Sequence, residues 1–280
     1  MRVNVSDDNV ERLVNMAKRM RKMALDMALS TGSRGSHIGG GFSSMEIMAV
    51  LYGEILNVNP RELKQERDRL LIGKGHCKLA HFPALVERGF IKEEDVAMYF
   101  AQNSGRLVGY PYDPSIGLEY SGGSLGMAIS IGVGQAIVMR KKKLENRIFV
   151  LMGDGELNEG SVWEAFMSAA QFNLSNLVAI IDRNHLSYDS NTEIIMGIED
   201  LSKKMESFNF NVVRCNGHNI RELLNAFGKI SDCMPNVIIC DTVKGKGLSF
   251  AENNPEWHQK AITQTQYEEA LKDLVEGRVI

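Results

Sequence analysis

Short apolar runs alternate with helical patterns along most of this chain, and no other feature limits its fold as tightly. Runs at 70–72, 148–152, 177–181, 211–214 and 237–240 are of strand length and end in glycine or polar turns. Between them, apolar residues spaced three and four apart predict helices at 76–88, 123–139, 160–172 and 219–230. Two further helices are expected ahead of the first strand. One spans 8–30, with Val10, Leu13, Ala17, Met20, Ala24 and Met27 on one face and Ser6-Asp7-Asp8 at its start; the other spans about 44–56. Parallel strands joined through helices need right-handed crossovers, which lay helices over the sheet. The expected fold is therefore α/β, a mainly parallel sheet with helices on both faces. No repeat, low-complexity linker or break in composition interrupts it, so residues 1–280 are expected to form a single domain.

Charge and cysteine usage exclude several functions. The formal net charge of −3 supplies no general attraction for nucleic acid, and the basic run 140–143 reads as a solvated helix end. The four cysteines are scattered without a C-x-x-C pair, so reduced thiols in the cytoplasm are expected rather than zinc or disulfides. The N-terminus carries early charges and no apolar core of a signal peptide. Residues 120–139 lack charge, but their glycines and serines make a buried helix a better reading than a membrane span. Ala128, Gly132 and Ala136 recur there at helical spacing and would admit another backbone at close range.

The chemistry is concentrated where the strand at 148–152 turns through Gly153-Asp154-Gly155 into a helix. A dinucleotide turn would place a third glycine at 158, where this chain has Asn, and would not put Asp154 and Glu156 beside a pyrophosphate. A divalent cation resolves the conflict, because a hard ion takes oxygen from carboxylate and phosphate together. Ligands of open parallel sheets collect beyond the carboxyl ends of adjacent strands. There, thirty residues after Asp154, Asn184 offers a side-chain oxygen and the irregular backbone beyond it offers carbonyls.

At this point the sequence resembles the transketolase family. GDG followed some thirty residues later by Asn is similar to the thiamine-diphosphate/Mg²⁺ motif, and "GDGELNEGSVWEA" resembles the transketolase version of it. "SHIGGGFSSMEIMAVLY", "RDRLLIGKGHCKLAHFPAL", "YSGGSLGMAIS" and "TVKGKGLSFAENNPEWHQKAI" resemble four further family segments, in family order, over residues 10 to 275. The resemblance implies a thiamine-diphosphate-binding fold, specifically its diphosphate-binding module. It implies Asp154, Asn184 and the Leu186 carbonyl as ligands of Mg²⁺ (or Ca²⁺ or Mn²⁺). It places Gly123, Leu125, Gly153, Gly155, His76, Lys244 and His258 against the cofactor. His37, His76 and His258 are implied as catalytic, and His37, Tyr110, His258 and Lys260 as contacts to substrate. Lys74 matches a basic position near the diphosphate. Glu159 and Glu164 match acids that link paired sites across a subunit interface. His81, His185 and His218 read as structural.

Three departures bear on the substrate: Tyr110 stands where the family commonly has histidine, Met127 where it has glutamine, and Gln259 where it has glycine. In this family the carboxylate that activates the cofactor comes from a pyrimidine-binding domain, and the chain stops at Ile280, before such a domain. The expectation is the N-terminal subunit of a split transketolase, homodimerising within a heterotetramer with a C-terminal, pyrimidine-binding chain. It would move a two-carbon ketol unit between sugar phosphates, with the pentose phosphate pathway as default. The alternatives are the alpha subunit of a thiamine-dependent 2-oxo-acid dehydrogenase, opposed by the histidine loops, and a non-catalytic thiamine-diphosphate-binding regulatory partner.

Overall fold

A computed structural model describes residues 2–96 and 110–275; residues 101–109 of the polar loop expected over 101–119 lie outside the described residues. Five strands form one parallel sheet in the order β1-β2-β3-β5-β4, with β1 Arg69–Ile72, β2 Ile148–Gly153, β3 Leu177–Arg183, β4 Asn211–Asn216 and β5 Asn236–Asp241. β2 and β3 are buried along their whole length, as a parallel strand covered on both faces must be.

The pleat sorts the strand residues onto two cores. Phe149, Leu151, Val178, Ile180, Ile238 and Cys240 pack on one side with α1 (Asp7–Ser30), α3 (Met45–Val50), α4 (Lys78–Arg88) and α9 (Ile220–Gly228). Ile148, Val150, Met152, Ala179, Ile181, Val237 and Ile239 pack on the other with α5 (Met127–Lys141), α6 (Gly160–Gln171) and α8 (Leu201–Ser207). The short helices α2 (Ile38–Phe42) and α7 (Thr192–Met196) and the late helix α10 (Gln264–Val275) complete the described α-helices.

Two local expectations are corrected. The helix predicted from 123 begins at Met127, because Gly126 adopts a left-handed φ of 80° that costs a side-chain-bearing residue energy. The small-residue stripe Ala128, Gly132 and Ala136 faces the protein's own sheet: a Cβ on Gly132 would lie 2.8 Å from Val150 Cγ2. The surface that α5 leaves open is instead apolar and large, with Met127, Ile131 and Val138 each more than two-fifths exposed. Among the described residues no helix is long and apolar enough to cross a membrane.

Candidate functional site

A cleft of about 670 Å³ opens beyond the carboxyl ends of β2 and β3. Strand polarity explains its place, since the turn after each parallel strand points its backbone and side chains to the same edge. His37, His76, Tyr110, Gly123, Leu125, Gly153, Asp154, Gly155, Asn184, Leu186, Lys244 and His258 line it together, although they come from separate stretches of chain.

Asp154 is 2% exposed, and its carboxylate is already engaged. Oδ2 accepts from Arg183 Nη1 at 2.9 Å and from the His185 amide at 2.6 Å, while Oδ1 accepts from the Gly155 amide at 2.8 Å. Burial pushes the Asp154 carboxyl up, Asp182 nearby adds to this, and Arg183 opposes both. Asn184 Oδ1 accepts from the Leu186 amide at 3.1 Å, and the Leu186 carbonyl accepts from Lys244 Nζ at 3.1 Å. Asp154 Oδ1, Asn184 Oδ1 and the Leu186 carbonyl thus each keep a second lone pair for a cation. The set holds one carboxylate and two neutral oxygens, and among the described residues no cluster of three His, Cys, Asp or Glu could hold a metal. A hard cation here needs further oxygen from its ligand, which is how Mg²⁺ binds phosphates.

Opposite the turn stand three imidazoles. Ring centroids lie 6.1 Å apart for His37–His76, 5.4 Å for His37–His258 and 5.1 Å for His76–His258. The loop carrying His37 comes this close because Gly40 lacks a Cβ, which would fall 2.4 Å from His76 Cδ2. Burial, then Lys74, holds His76 well below the usual histidine range; burial, then Lys244, takes His258 down to about 3. Burial, then Lys78 and Lys244, lowers His37. All three rings are therefore neutral at pH 7 and keep a lone pair to accept a proton.

The structure moves some of the expected site residues away from the cleft and leaves others as expected. Lys260 does not line the cleft: its Nζ pairs with Glu256 at 3.0 Å and sits over the Trp257 ring. Lys74 is fully buried and bound to Asp182, with Ser44 Oγ at 2.9 Å, so its ammonium is spent inside the fold. Tyr110 shows the cleft its ring, while its hydroxyl bonds His81 Nδ1 at 2.5 Å. Glu159 and Glu164 are exposed outside the cleft, Glu159 at the start of α6. His218 bonds Glu46 at 2.8 Å, and Glu46 in turn pairs with Arg21 in the core.

Sequence reasoning missed two groups. Glu156, which had looked like a charge opposing phosphate, is 1% exposed and clamps the Gly126 and Gly153 amides at 2.9 and 3.2 Å. Burial raises it to about 7, with those amides opposing. Arg183, fully buried, joins Asp154 to Glu193 at 2.7 Å and Glu199 at 3.1 Å. A lone arginine between Asp182 and Asn184 was its only signal.

His81, 1% exposed, bridges Tyr52 at 2.7 Å and Tyr110, and burial lowers it to about 3. Its folded pKa lies below the ordinary 6.5, so on acidification the unfolded chain takes up the proton first. The His81 contribution is complete above about pH 6.5 and declines as pH falls toward 3, by up to about 1.4 kcal/mol per pH unit. Denaturant unfolding of wild type and His81→Gln across this window should show a shallower acid loss in the variant. Parallel pH profiles would refute the buried neutral assignment.

Parallel strands, a glycine-acid turn and an oxygen donor set at the carboxyl edge define a class, the α/β domains that hold a phosphorylated cofactor beyond the ends of their strands. Residues 13–274 match the family model described as transketolase, thiamine diphosphate binding domain, and the chain belongs to that family. It is 36% identical to an apulose-4-phosphate transketolase subunit of Phocaeicola vulgatus, over 95% of each chain. It is 30% identical to the transketolase of Homo sapiens over 95% of its own length but only 42% of that protein. Its fold superposes on transketolase from Campylobacter jejuni with a TM-score of 0.84 at 27% identity, covering 95% of this chain and 42% of that one. The chain thus spans about two fifths of these longer transketolases.

Proposed function

We propose that this chain is the thiamine-diphosphate- and divalent-cation-binding subunit of a split transketolase that transfers a two-carbon ketol unit between sugar phosphates. One observation carries the reading: three neutral histidines face the Asp154, Asn184 and Leu186 oxygens across a single cleft. A 2-oxo-acid decarboxylation has no polyol protons to move and does not call for that triad.

Asp154, Asn184 and the Leu186 carbonyl would hold Mg²⁺, and the Gly155 and Gly123 backbones would lie along the diphosphate. Bound thiamine diphosphate supplies the electron sink that breaks a ketose carbon–carbon bond. This chain's part is orientation and proton transfer. His37 and His258 would take and return protons on sugar hydroxyls at their free ring nitrogens, which low pKa values keep unprotonated. His258 Nδ1 is 3.1 Å from Lys244 Nζ, which burial lowers to about 8, so Lys244 fixes the ring and discourages its protonation. His76, partly exposed in the cleft wall, would orient the reacting group and hold a proton at a ring nitrogen.

A second chain would complete the site. The Phocaeicola vulgatus relative, equal in extent to this chain, is itself named as one subunit of a transketolase. Helices α5 and α6 and the residue after them expose Met127, Ile131, Val138, Met167 and Phe172 beside Glu159 and Glu164. An apolar face with acids at its edge suits the homodimer contact of a heterotetramer. Free Cys77, Cys215, Cys233 and Cys240 suit a reducing cytoplasm.

The test is ketol transfer from xylulose 5-phosphate to ribose 5-phosphate, with thiamine diphosphate and Mg²⁺. The chain alone should show no turnover, and addition of a C-terminal, pyrimidine-binding chain should restore it. Robust turnover by the chain alone would sink the split-enzyme reading. In the assembled enzyme His76→Ala should lower kcat by about 10²–10⁴ while thiamine-diphosphate binding, measured by calorimetry, weakens far less. Equal losses in both would make His76 a cofactor anchor only.

A further inference from the structure

Arg183 ends β3, between Asp182 and the proposed donor Asn184, and is wholly buried. A buried guanidinium is costly unless its donors are met, and this one makes four hydrogen bonds. Nη1 donates to Asp154 Oδ2 at 2.9 Å and to Thr192 Oγ1 at 2.6 Å, Nη2 to Glu193 at 2.7 Å, and Nε to Glu199 at 3.1 Å. Asp154 belongs to the turn after β2. Thr192 closes the loop after β3: its amide donates to the His185 carbonyl at 3.0 Å, and Leu186 bridges Asn191 just before it. One guanidinium nitrogen therefore joins the turn carrying Asp154 to the loop carrying Asn184 and Leu186. With the His185 amide it also occupies Asp154 Oδ2, which leaves Oδ1 as the oxygen to present. Charge alone does not explain such a residue, because a cation beside a metal ligand opposes a second cation. The neighbourhood offsets this: Arg183 and Arg214 face Asp154, Glu193, Glu199 and Asp241, two positive charges against four negative.

We propose that Arg183 is a positioning residue of the cation site: it sets the separation of the two turns that carry the donor oxygens, and Glu193 and Glu199 brace its guanidinium. The inference rests on the cofactor reading above. A planar guanidinium fixes direction as well as distance, whereas an ammonium on a flexible stem fixes neither. Mg²⁺ demands near-ideal octahedral geometry, and Ca²⁺ accepts larger and less regular sets of oxygens. A fixed spacing of the two turns therefore favours the smaller ion, and a loosened site loses Mg²⁺ before it loses Ca²⁺.

The full-length chain, assembled with a C-terminal, pyrimidine-binding chain and thiamine diphosphate, is titrated calorimetrically with Mg²⁺ and separately with Ca²⁺. Wild type is compared with Arg183→Met, Arg183→Lys and Glu193→Gln. Arg183→Met should bind Mg²⁺ about 10–100-fold more weakly, the usual loss when the support behind a metal ligand is removed. Its Ca²⁺ affinity should fall by less than about threefold. Arg183→Lys keeps the charge without the fork and should resemble Arg183→Met. Glu193 is partly exposed, so Glu193→Gln should fold even where Arg183→Met does not, and should weaken Mg²⁺ by about three- to tenfold with Ca²⁺ little changed. Tighter Mg²⁺ binding in Arg183→Met would make the guanidinium an opposing charge only. Equal losses for both ions, or no loss in either variant, would make it a structural ion pair. Each of these results overturns the positioning role and leaves the cofactor reading standing. If wild type binds neither ion with thiamine diphosphate present, the cofactor reading falls and the proposal falls with it.

Discussion

Replacing Asp154 by Ala should abolish Mg²⁺-dependent binding of thiamine diphosphate, weakening it by more than about 100-fold. Removing a group that merely supports a metal ligand already costs 10–100-fold, and Asp154 is the only carboxylate in the proposed donor set. The fold should survive the change. Arg183 would lose one partner but keep Glu193 and Glu199, both partly exposed and able to hold the guanidinium. The loss of stability should stay near 1–3 kcal/mol, the cost of stranding part of a charged hydrogen-bonding group. Asn184→Ala should weaken binding by less, since it removes a neutral oxygen. Calorimetric titration of the assembled enzyme at fixed Mg²⁺ decides the matter. Wild-type affinity in Asp154→Ala would remove the metal from this turn.

The largest effect on stability is expected from Lys74→Met. Lys74 and Asp182 are both wholly buried and paired. Ser43 and Ser44 hydroxyls stand 2.6 and 3.0 Å from Asp182 Oδ2, and Thr242 and Asn184 also donate to the carboxylate. Burial alone would raise Asp182, yet Lys74 and these donors hold it at about 2. Without Lys74 the carboxylate is a buried charge with only neutral partners, and breaking such a pair costs about 3–5 kcal/mol. Breaking the exposed Arg19–Glu87 pair should cost under ~1 kcal/mol. The double variant Lys74→Met/Asp182→Asn removes the stranded charge and should recover more than half the loss. Denaturant midpoints for the three proteins provide the check, and a Lys74→Met protein as stable as wild type would refute the account. Lys74 also ties the turn after α2 to the β3 terminus, so its effect on the cleft would be structural.

These two residues mark how far the sequence could be read. Asp154 is legible as a candidate because its chemistry is local, a carboxylate between two glycines after an apolar strand, although the structure also gives it Arg183 as a partner. Asn184 followed from strand polarity, since adjacent parallel strands deliver their next turns to the same edge. Lys74 is placed near the diphosphate only by the family resemblance. Nothing nearby announces that Asp182, over a hundred residues later, would neutralise it. Lys260 was misplaced for a similar reason, since its neighbours in sequence, Glu256 and Trp257, capture its ammonium. The small-residue stripe of α5 is legible as a close-packing surface, but that it meets the protein's own sheet is not, because helical spacing gives a face without saying what it meets.

The sequence by itself determined the parallel α/β fold, the edge of the sheet at which the cleft lies, and the arrival of Asp154 and Asn184 at that edge, because each follows from periodicity and strand polarity. Only the tertiary structure decided which charges are spent in the core and which face the cleft. It alone brought three histidines from distant loops within about 6 Å and lowered their pKa values by burial among lysines. Those outcomes depend on desolvation and on through-space charge, and neither is a property of residues near one another in the chain.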